Sequence, residues 1–192
     1  HADALSFQMY VEGQSIFVDP GTYIYHCDIE NRNAFRRTEN HNTVCIEGKD
    51  QSKMLGAFLW GKRAECELLQ FDESNDKVTI LASHNGYAPV IHKRSFTFNK
   101  SNEFEITDEL SDKRETSVNF ILSPGIRPLI ENNIVTFGCG KKKIKLSFQA
   151  EQPIEVKTIN KQYSSRYGIQ ETVIGIIAEG CIAKITTMIE IK

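Results

Sequence analysis

The sequence has no excess of charge of either sign and no long apolar run. Its 23 basic and 25 acidic residues give a net charge of −2, which argues against a dedicated nucleic-acid binder, because such proteins usually carry a basic excess. No apolar run approaches the ~18 residues of a transmembrane helix, so no membrane span is predicted. A hydrophobic content of 40% with 25% charged residues excludes a disordered tail, a collagen-like fibre and a coiled coil.

Motifs with a fixed local signature are also missing. The sequence holds no nucleophile elbow, P-loop or dinucleotide fingerprint. Its five cysteines are an odd number, and no two form a CxxC motif, so we expect small buried thiols. Unpaired cysteines argue weakly against a strongly oxidising compartment. The first residue is His1 and no signal peptide follows, which suggests a processed chain, an excised domain or the C-terminal part of a longer protein.

Strand patterns dominate what is present. Apolar residues alternate over 5–11 and 15–18 around Gly13, which predicts a β-hairpin. Turn signals separate the further predicted strands, which are placed at 43–47, 57–60, 64–72, 77–83, 90–98, 103–108, 115–121, 126–130, 133–137, 143–149, 154–158, 171–178 and 181–191. Strands at this spacing without a helical pattern favour an all-β fold, a large antiparallel β-sandwich of about 12–14 strands.

The same pattern predicts one domain over residues 1–192, with a long polar loop at 26–42 and a single helical turn at 108–112. A chain of this length can bury a sizeable core. The predicted core residues are Phe58, Trp60, Leu68, Phe71, Phe96, Phe98, Phe104, Phe120 and Phe137.

Polar chemistry is densest in the first 50 residues, which contain three of the five histidines. Imidazole and carboxylate groups are good zinc ligands, so a histidine/aspartate metal site is one hypothesis for this region. A flat hairpin argues against it, since it pairs Asp19 with Phe7 and leaves His1 roughly 20 Å farther along. A shared metal therefore requires a bend before Leu5 or after Pro20.

Two adjacent arginines, Arg36 and Arg37, lie in the predicted 26–42 loop. Guanidinium groups bind carboxylates and sulfates through paired hydrogen bonds, so these side chains are candidates for contact with an acidic ligand. The alternative is a solvated surface pair.

Five segments occur in an order that resembles the C-terminal β-sandwich of the heparinase II/III-like polysaccharide lyases. They are HADALSFQMYVEGQSIFVDPGTYIY, FRRTENHNTVCIEGKDQS, GAFLW, HNGYAPVIHKRSFTF and FEITDEL. The resemblance is strongest over residues 1–110.

The resemblance implies a β-sandwich that is joined to an N-terminal α/α toroid, with the active site in the cleft between them. It implies cleavage of a uronate-containing acidic polysaccharide by β-elimination, in a periplasmic or cell-surface bacterial protein. The toroid, which supplies the main proton-transfer residues, is absent from this sequence. We therefore expect the isolated chain to lack lyase activity.

The resemblance also assigns individual residues. His1, Asp19 and His41 resemble the ligands of a zinc site, while the family's preceding histidine would lie before residue 1. The loop that faces the cleft resembles the segment containing Arg36, Arg37 and Asn42, which are the predicted substrate-binding residues.

Two other readings stay open at this point. The chain could be a non-catalytic carbohydrate-binding or structural module of bacterial surface polysaccharide metabolism. A cupin-like metalloenzyme is a weaker alternative, because it would require a tighter histidine cluster than three positions spread over 41 residues.

Overall fold

β-Strands make up 57% of the chain and helix 5% in the computed structural model, which describes residues 1–192. This confirms the predicted all-β class. No helix is long and apolar enough to cross a membrane. The twelve strands are β1 Met9–Val11, β2 Gln14–Phe17, β3 Val44–Ile46, β4 Cys66–Glu73, β5 Lys77–His84, β6 His92–Asn99, β7 Glu103–Ile121, β8 Leu129–Glu131, β9 Ile134–Cys139, β10 Lys142–Ala150, β11 Glu155–Arg166 and β12 Ile169–Ile191.

Ten strands form one antiparallel sheet around the two longest, β7 and β12. Its order is β4-β5-β6-β7-β12-β10-β9-β8, with β3 added beside β7 and β11 beside β12. The pairing of β7 with β12 shifts in register between Ile182 and Lys184. Such an irregularity bends a strand pair, so the two halves of β7 and β12 support different neighbours.

The core forms where the small β1–β2 hairpin packs against the inner face of the large sheet. The ring of Phe17 lies 5.3 Å from Phe120 and 6.3 Å from Phe137, between ring centroids. Phe7 contacts Phe96 with edge-to-face geometry, which aromatic pairs prefer. These contacts close the sandwich and fix the N-terminal segment that carries the candidate site.

Several predicted elements differ from the structure. Residues 57–60 form no strand, only an isolated bridge between Met54 and Trp60. The predicted helical turn at 108–112 is wrong, because these residues lie inside β7, where Asp108, Glu109 and Leu110 pair with β6. Within the predicted loop at 26–42, the structure contains a short helix, α1, at Ile29–Ala34 and a 3-10 turn at Thr38–Asn40.

Four of the nine predicted core residues are exposed, namely Phe58, Leu68, Phe71 and Phe98. Strand β4, which carries two of them, is exposed at all eight positions. It lies at the edge of the sheet with β5 as its neighbour, and no second layer of this chain covers it. The apolar residues of this segment identify a strand correctly but do not show whether another layer packs on it.

Candidate metal centre

The first residues are held in place by two hydrogen bonds to the backbone N–H and carbonyl of Ala2. Its N–H donates to the carbonyl of Arg36 at 2.9 Å, and its carbonyl accepts from the Thr38 hydroxyl at 2.7 Å. Ala2 is itself buried. His1 is therefore fixed at its Cα against the segment that leads to His41.

A bend at Leu5 turns this segment away from the hairpin direction. Leu5 adopts a φ of 58°, a left-handed conformation that is uncommon for a side chain of this type, and the Ser6 N–H donates to the Asp3 carbonyl across the turn at 3.0 Å. The hairpin pairs Met9 with Phe17 as predicted, but a bulge shifts the other two pairs by one residue, to Tyr10–Ser15 and Val11–Gln14. The bend at Leu5 removes the separation expected between His1 and Asp19.

Asp19 follows β2 and begins a tight turn. Its Oδ1 accepts the N–H of Gly21 at 2.9 Å. Gly21 has a φ of +80°, and a Cβ at this position would lie 2.2 Å from the carbonyl oxygen of Ser164. The turn therefore requires glycine for both its conformation and its close approach to β11.

His41 ends the 3-10 turn at Thr38–Asn40, where its N–H donates to the carbonyl of Thr38 at 3.1 Å. Its ring is fully buried, and Nδ1 lies 3.0 Å from Oδ2 of Asp19. The other ring nitrogen, Nε2, is buried and has no hydrogen-bond partner in the chain. An unpartnered buried imidazole nitrogen is unusual unless it serves a ligand.

Four side chains converge at this point. His1, Asp3, Asp19 and His41 each offer one potential ligand atom, and these atoms all lie within 4.8 Å of one another. The structure therefore brings together the three residues that were predicted as ligands. Asp3 was missed, although it lies in the HAD run, because neither spacing nor resemblance distinguished it.

The donor set fits a zinc ion. Zinc binds imidazole nitrogen and carboxylate oxygen, and both are present here. The 3.0 Å between Nδ1 of His41 and Oδ2 of Asp19 suits two ligand atoms on one zinc ion, because bonds of about 2.0–2.2 Å at tetrahedral angles place such atoms about 3–3.5 Å apart. Metal binding by His1, Asp19 and His41 remains a prediction that this geometry supports.

The ionisation of Asp19 is also suited to a cation. Burial alone would raise the pKa of its carboxyl group, but the hydrogen bond and charge of His41, together with the N–H of Gly21, lower that pKa below its ordinary value of 3.8. Asp19 is therefore a carboxylate at neutral pH.

A buried ion pair supports the segments on both sides of the cluster. Arg94 and Asp108 are paired through Nε–Oδ1 at 2.7 Å and Nη2–Oδ2 at 3.0 Å. Nη1 of Arg94 donates to the carbonyls of Leu5 at 2.9 Å and Asn42 at 2.7 Å. Both side chains are essentially inaccessible to solvent, so one guanidinium joins the bend at Leu5 to the residue after His41.

Two buried histidines extend this pair in a chain of hydrogen bonds. The N–H of Gly86 donates to Nδ1 of His84, whose Nε2 lies 2.9 Å from Nδ1 of His92. Nε2 of His92 lies 2.7 Å from Oδ1 of Asp108. This arrangement assigns one proton to each imidazole, both of them neutral.

The predicted substrate-binding residues are placed differently from one another. Arg37 is exposed, and its Nη1 atom lies 3.6 Å from Oε1 of Glu39. Arg36 is 1% exposed, donates to Asn33 Oδ1 and the Gly56 carbonyl, and its guanidinium lies 4.2 Å from the centroid of the Trp60 ring.

Asn42 lies in the interior. Its amide nitrogen donates to the carbonyls of Phe7 and Val18, and its Oδ1 accepts from the N–H of Ile121 at 2.6 Å. All of these bonds join backbone segments, so the structure gives Asn42 a structural part in holding the site together. Its contact with substrate stays a prediction.

Comparison with known proteins finds one family. The family model described as Heparinase II/III-like, C-terminal, matches residues 1–185. A heparin-sulfate lyase of Bacteroides stercoris is 30% identical over 120 residues, which cover 59% of this chain and 16% of that protein. A heparin-sulfate lyase of Bacteroides thetaiotaomicron is 26% identical over 117 residues, which cover 59% and 15%.

Solved structures share the fold. A heparinase III gene product superposes with a TM-score of 0.85 at 21% identity, covering 100% of this chain and 30% of that one. The heparan sulfate lyase HepC of Pedobacter heparinus gives a TM-score of 0.85 at 16% identity, covering 99% and 30%. The chain thus spans less than a third of the length of these relatives.

Proposed function

This chain belongs to the family of heparinase II/III-like C-terminal domains, and from that membership we propose that it is the β-sandwich part of a polysaccharide lyase. The proposed substrate is an acidic polysaccharide that contains uronate, and the proposed reaction is β-elimination. The observation that carries the proposal is the convergence of His1, Asp19 and His41, with Asp3, within 4.8 Å. The proposed partner is an N-terminal α/α toroid that supplies the other wall of the cleft.

The reaction has three requirements. A base removes the C5 proton of the uronate, the electron pair forms the C4–C5 double bond, and an acid protonates the C4 oxygen as its bond to carbon breaks. Positive charge or hydrogen-bond donors near the carboxylate stabilise the charge that develops on it. We assign the base and the acid to the partner domain, as the resemblance to the family implies.

The contribution of this chain is to organise one side of the cleft. His1, Asp19 and His41 would hold zinc, and Asp3 is placed to join them. Zinc supplies a fixed positive charge when bound. Arg37 is the exposed member of the three predicted substrate contacts, and its pairing with Glu39 is of the weak solvent-exposed kind, so it is free to bind a carboxylate or sulfate.

The activity test compares this chain with the longest natural polypeptide that carries it. We expect heparan sulfate to give no unsaturated uronate, followed by ultraviolet absorbance, with the 192-residue chain alone. The longer polypeptide is expected to form it, and Arg37→Gln is expected to raise its KM. Robust product from the isolated chain, or none from the longer polypeptide on any acidic polysaccharide tried, would contradict the proposal.

A second candidate is a carbohydrate-binding or structural module without chemistry, acting in bacterial surface polysaccharide metabolism. The exposed rings of Tyr25, Phe58 and Tyr167 favour it, because binding modules present such rings to sugars. Binding of polysaccharide by the longer polypeptide without product would support this candidate. A periplasmic or cell-surface location belongs to both proposals, and fractionation of the source bacterium tests it.

A further inference from the structure

Three aromatic side chains form an exposed cluster beyond the metal centre. Tyr25, Phe58 and Tyr167 expose 48%, 69% and 56% of their surface. The ring of Tyr25 lies 5.4 Å from that of Tyr167 and 6.4 Å from that of Phe58, and both pairs are tilted by 32°. The three rings therefore face solvent as one shallow surface, here called the aromatic platform.

The platform lies over a positive charge without a counter-ion. Arg32, on α1, is 8% exposed, and its guanidinium carbon lies 5.4 Å from the Tyr25 ring and 5.7 Å from the Phe58 ring. Its hydrogen bonds go to the carbonyls of Ala57 and Ile24, both at 3.4 Å, the long end of the range. No acidic side chain pairs with it.

A second buried arginine adds to this charge. Arg36 is 1% exposed, and its Nε and Nη2 atoms are buried without hydrogen-bond partners. Burial, followed by the neighbouring positive charge of Arg32, lowers the pKa of the Arg36 guanidinium. Buried charges are normally paired, so two adjacent arginines without a carboxylate indicate that an anion from outside the chain completes the site.

The platform is joined to the metal centre through the backbone. The turn after Asp19 packs on β11, where the N–H of Ser164 donates to the carbonyl of Pro20 at 2.8 Å. Farther along, the N–H of Gly168 donates to the carbonyl of Tyr23 at 2.8 Å. The same two segments therefore carry Asp19 at one end and the rings of Tyr25 and Tyr167 at the other.

We propose that the aromatic platform and Arg32 form a subsite for an anionic sugar residue, with Arg36 adding positive charge beneath it. The rings pack against the C–H face of the sugar, and the guanidinium of Arg32 pairs with its carboxylate or sulfate group. This inference rests on the proposed acidic polysaccharide substrate. It extends that proposal, because this chain would then bind a sugar unit next to the bond that reacts.

The test is a calorimetric titration of the 192-residue chain, with EDTA present so that binding is measured without metal or turnover. The probes are a heparin-derived hexasaccharide, its chemically desulfated form, and a neutral maltohexaose. We expect the acidic probes to bind and the neutral one to fail. Binding of both acidic probes assigns the contact to carboxylate, whereas binding of the sulfated one alone assigns it to sulfate.

The variants separate the subsite from the fold. Tyr167→Ala and Phe58→Ala, at exposed positions, are each expected to weaken hexasaccharide binding about fivefold, and Arg32→Gln about tenfold, with partial recovery in Arg32→Lys. The matched control is Tyr10→Ala, a similarly exposed ring on β1 outside the platform, which is expected to leave binding unchanged. Thermal unfolding of each variant verifies that it folds.

Three outcomes would overturn the subsite. The first is equal binding of the neutral and acidic probes, and the second is a Tyr10→Ala variant that weakens binding as much as the platform variants do. The third is absence of binding together with platform rings that are protected from solvent in the longer polypeptide, which would mark a domain interface. The proposed function fails on different observations, namely that the protein binds no metal and forms no unsaturated product. A chain that binds the hexasaccharide but shows neither metal nor product would keep the subsite and lose the lyase assignment.

Discussion

Nδ1 of His41 lies 3.0 Å from Oδ2 of Asp19, although 22 residues separate them in the sequence. The other ring nitrogen, Nε2, is buried without a protein partner, so this contact is what holds the imidazole. Two ligand atoms of one tetrahedral zinc ion lie about 3–3.5 Å apart, so this spacing suits joint binding of zinc by Nδ1 and Oδ2. The relationship ties the first turn after the hairpin to the loop that precedes β3.

Removing this carboxylate tests the pairing. We expect Asp19→Asn to lower zinc affinity roughly 10- to 100-fold, because it removes both a candidate ligand and the anionic partner of His41. Competition with a chelator of known affinity measures the change. Asp76→Asn, at an exposed position away from the cluster, is the control, and equal affinities of the two variants would refute a part for Asp19.

Gly21 supplies a test of the turn that positions Asp19. Gly21→Ala combines a positive φ with a Cβ 2.2 Å from the Ser164 carbonyl, so we expect it to lower the free energy of unfolding by about 3 kcal/mol or more. Gly13→Ala is the matched control, since its φ is +78° and no atom lies within 4 Å of the added carbon. It is expected to cost only about 1 kcal/mol.

Urea unfolding of the two glycine variants gives the comparison. A loss at Gly21 no larger than that at Gly13 would show that the contact with Ser164 adjusts without cost.

The buried pair of Arg94 and Asp108 provides a third prediction. We expect Arg94→Leu to lower the free energy of unfolding by about 3–5 kcal/mol, because it leaves a buried carboxylate without its main partner. The double variant Arg94→Leu with Asp108→Leu is expected to be more stable than Arg94→Leu alone, since no charge is then stranded. Urea unfolding with EDTA present measures both, and a double variant that is less stable would contradict this reading.

Stability is expected to depend on pH through His84. Burial is the main cause that lowers the pKa of His84, and the positive charges of a protonated His92 and of Arg94 add to it. Together they lower this pKa from 6.5 to about 3. The unfolded chain then binds more protons below pH 6.5, so the free energy of unfolding is steady above that pH and falls as the pH drops toward 3.

For one histidine the fall amounts to about 2 kcal/mol between about pH 7.5 and about pH 5. His84→Gln is expected to reduce this slope, whereas His26→Gln, at an exposed position, is expected to leave it intact. Unfolding curves at a series of pH values, with EDTA present, check it, and unchanged slopes in His84→Gln would contradict the neutral state assigned to this ring.

Much of the fold was predictable because alternation reports directly on strands. The pairing of Met9 with Phe17 follows from the turn at Gly13 and agrees with the structure, whereas the bulge that shifts Tyr10 and Val11 by one residue was not predicted. The bend at Leu5 was not predictable, because leucine carries no signal for a positive φ and the bend depends on Arg94, 89 residues later. The sequence therefore predicted the correct hairpin and overestimated the distance from His1 to Asp19.

Burial was predicted less well than strand position. Leu68 and Phe71 are large apolar residues in a correctly predicted strand, yet they lie on an edge strand that no layer of this chain covers. Conversely, Arg36 is a charged residue in a predicted loop. Its burial depends on Gly56 and Trp60, which lie 20 and 24 positions farther along the chain. Both outcomes depend on tertiary contacts that residue type does not report.

Metal content tests the central claim most directly. The chain is loaded with zinc, dialysed and measured by elemental mass spectrometry, beside His41→Ala and the exposed control His26→Ala, with thermal unfolding in EDTA to confirm that each variant folds. The account predicts about one zinc per chain in the wild type and in the control, and none in His41→Ala. A folded wild-type chain without zinc, or zinc retained in folded His41→Ala, would contradict the metal centre proposed here.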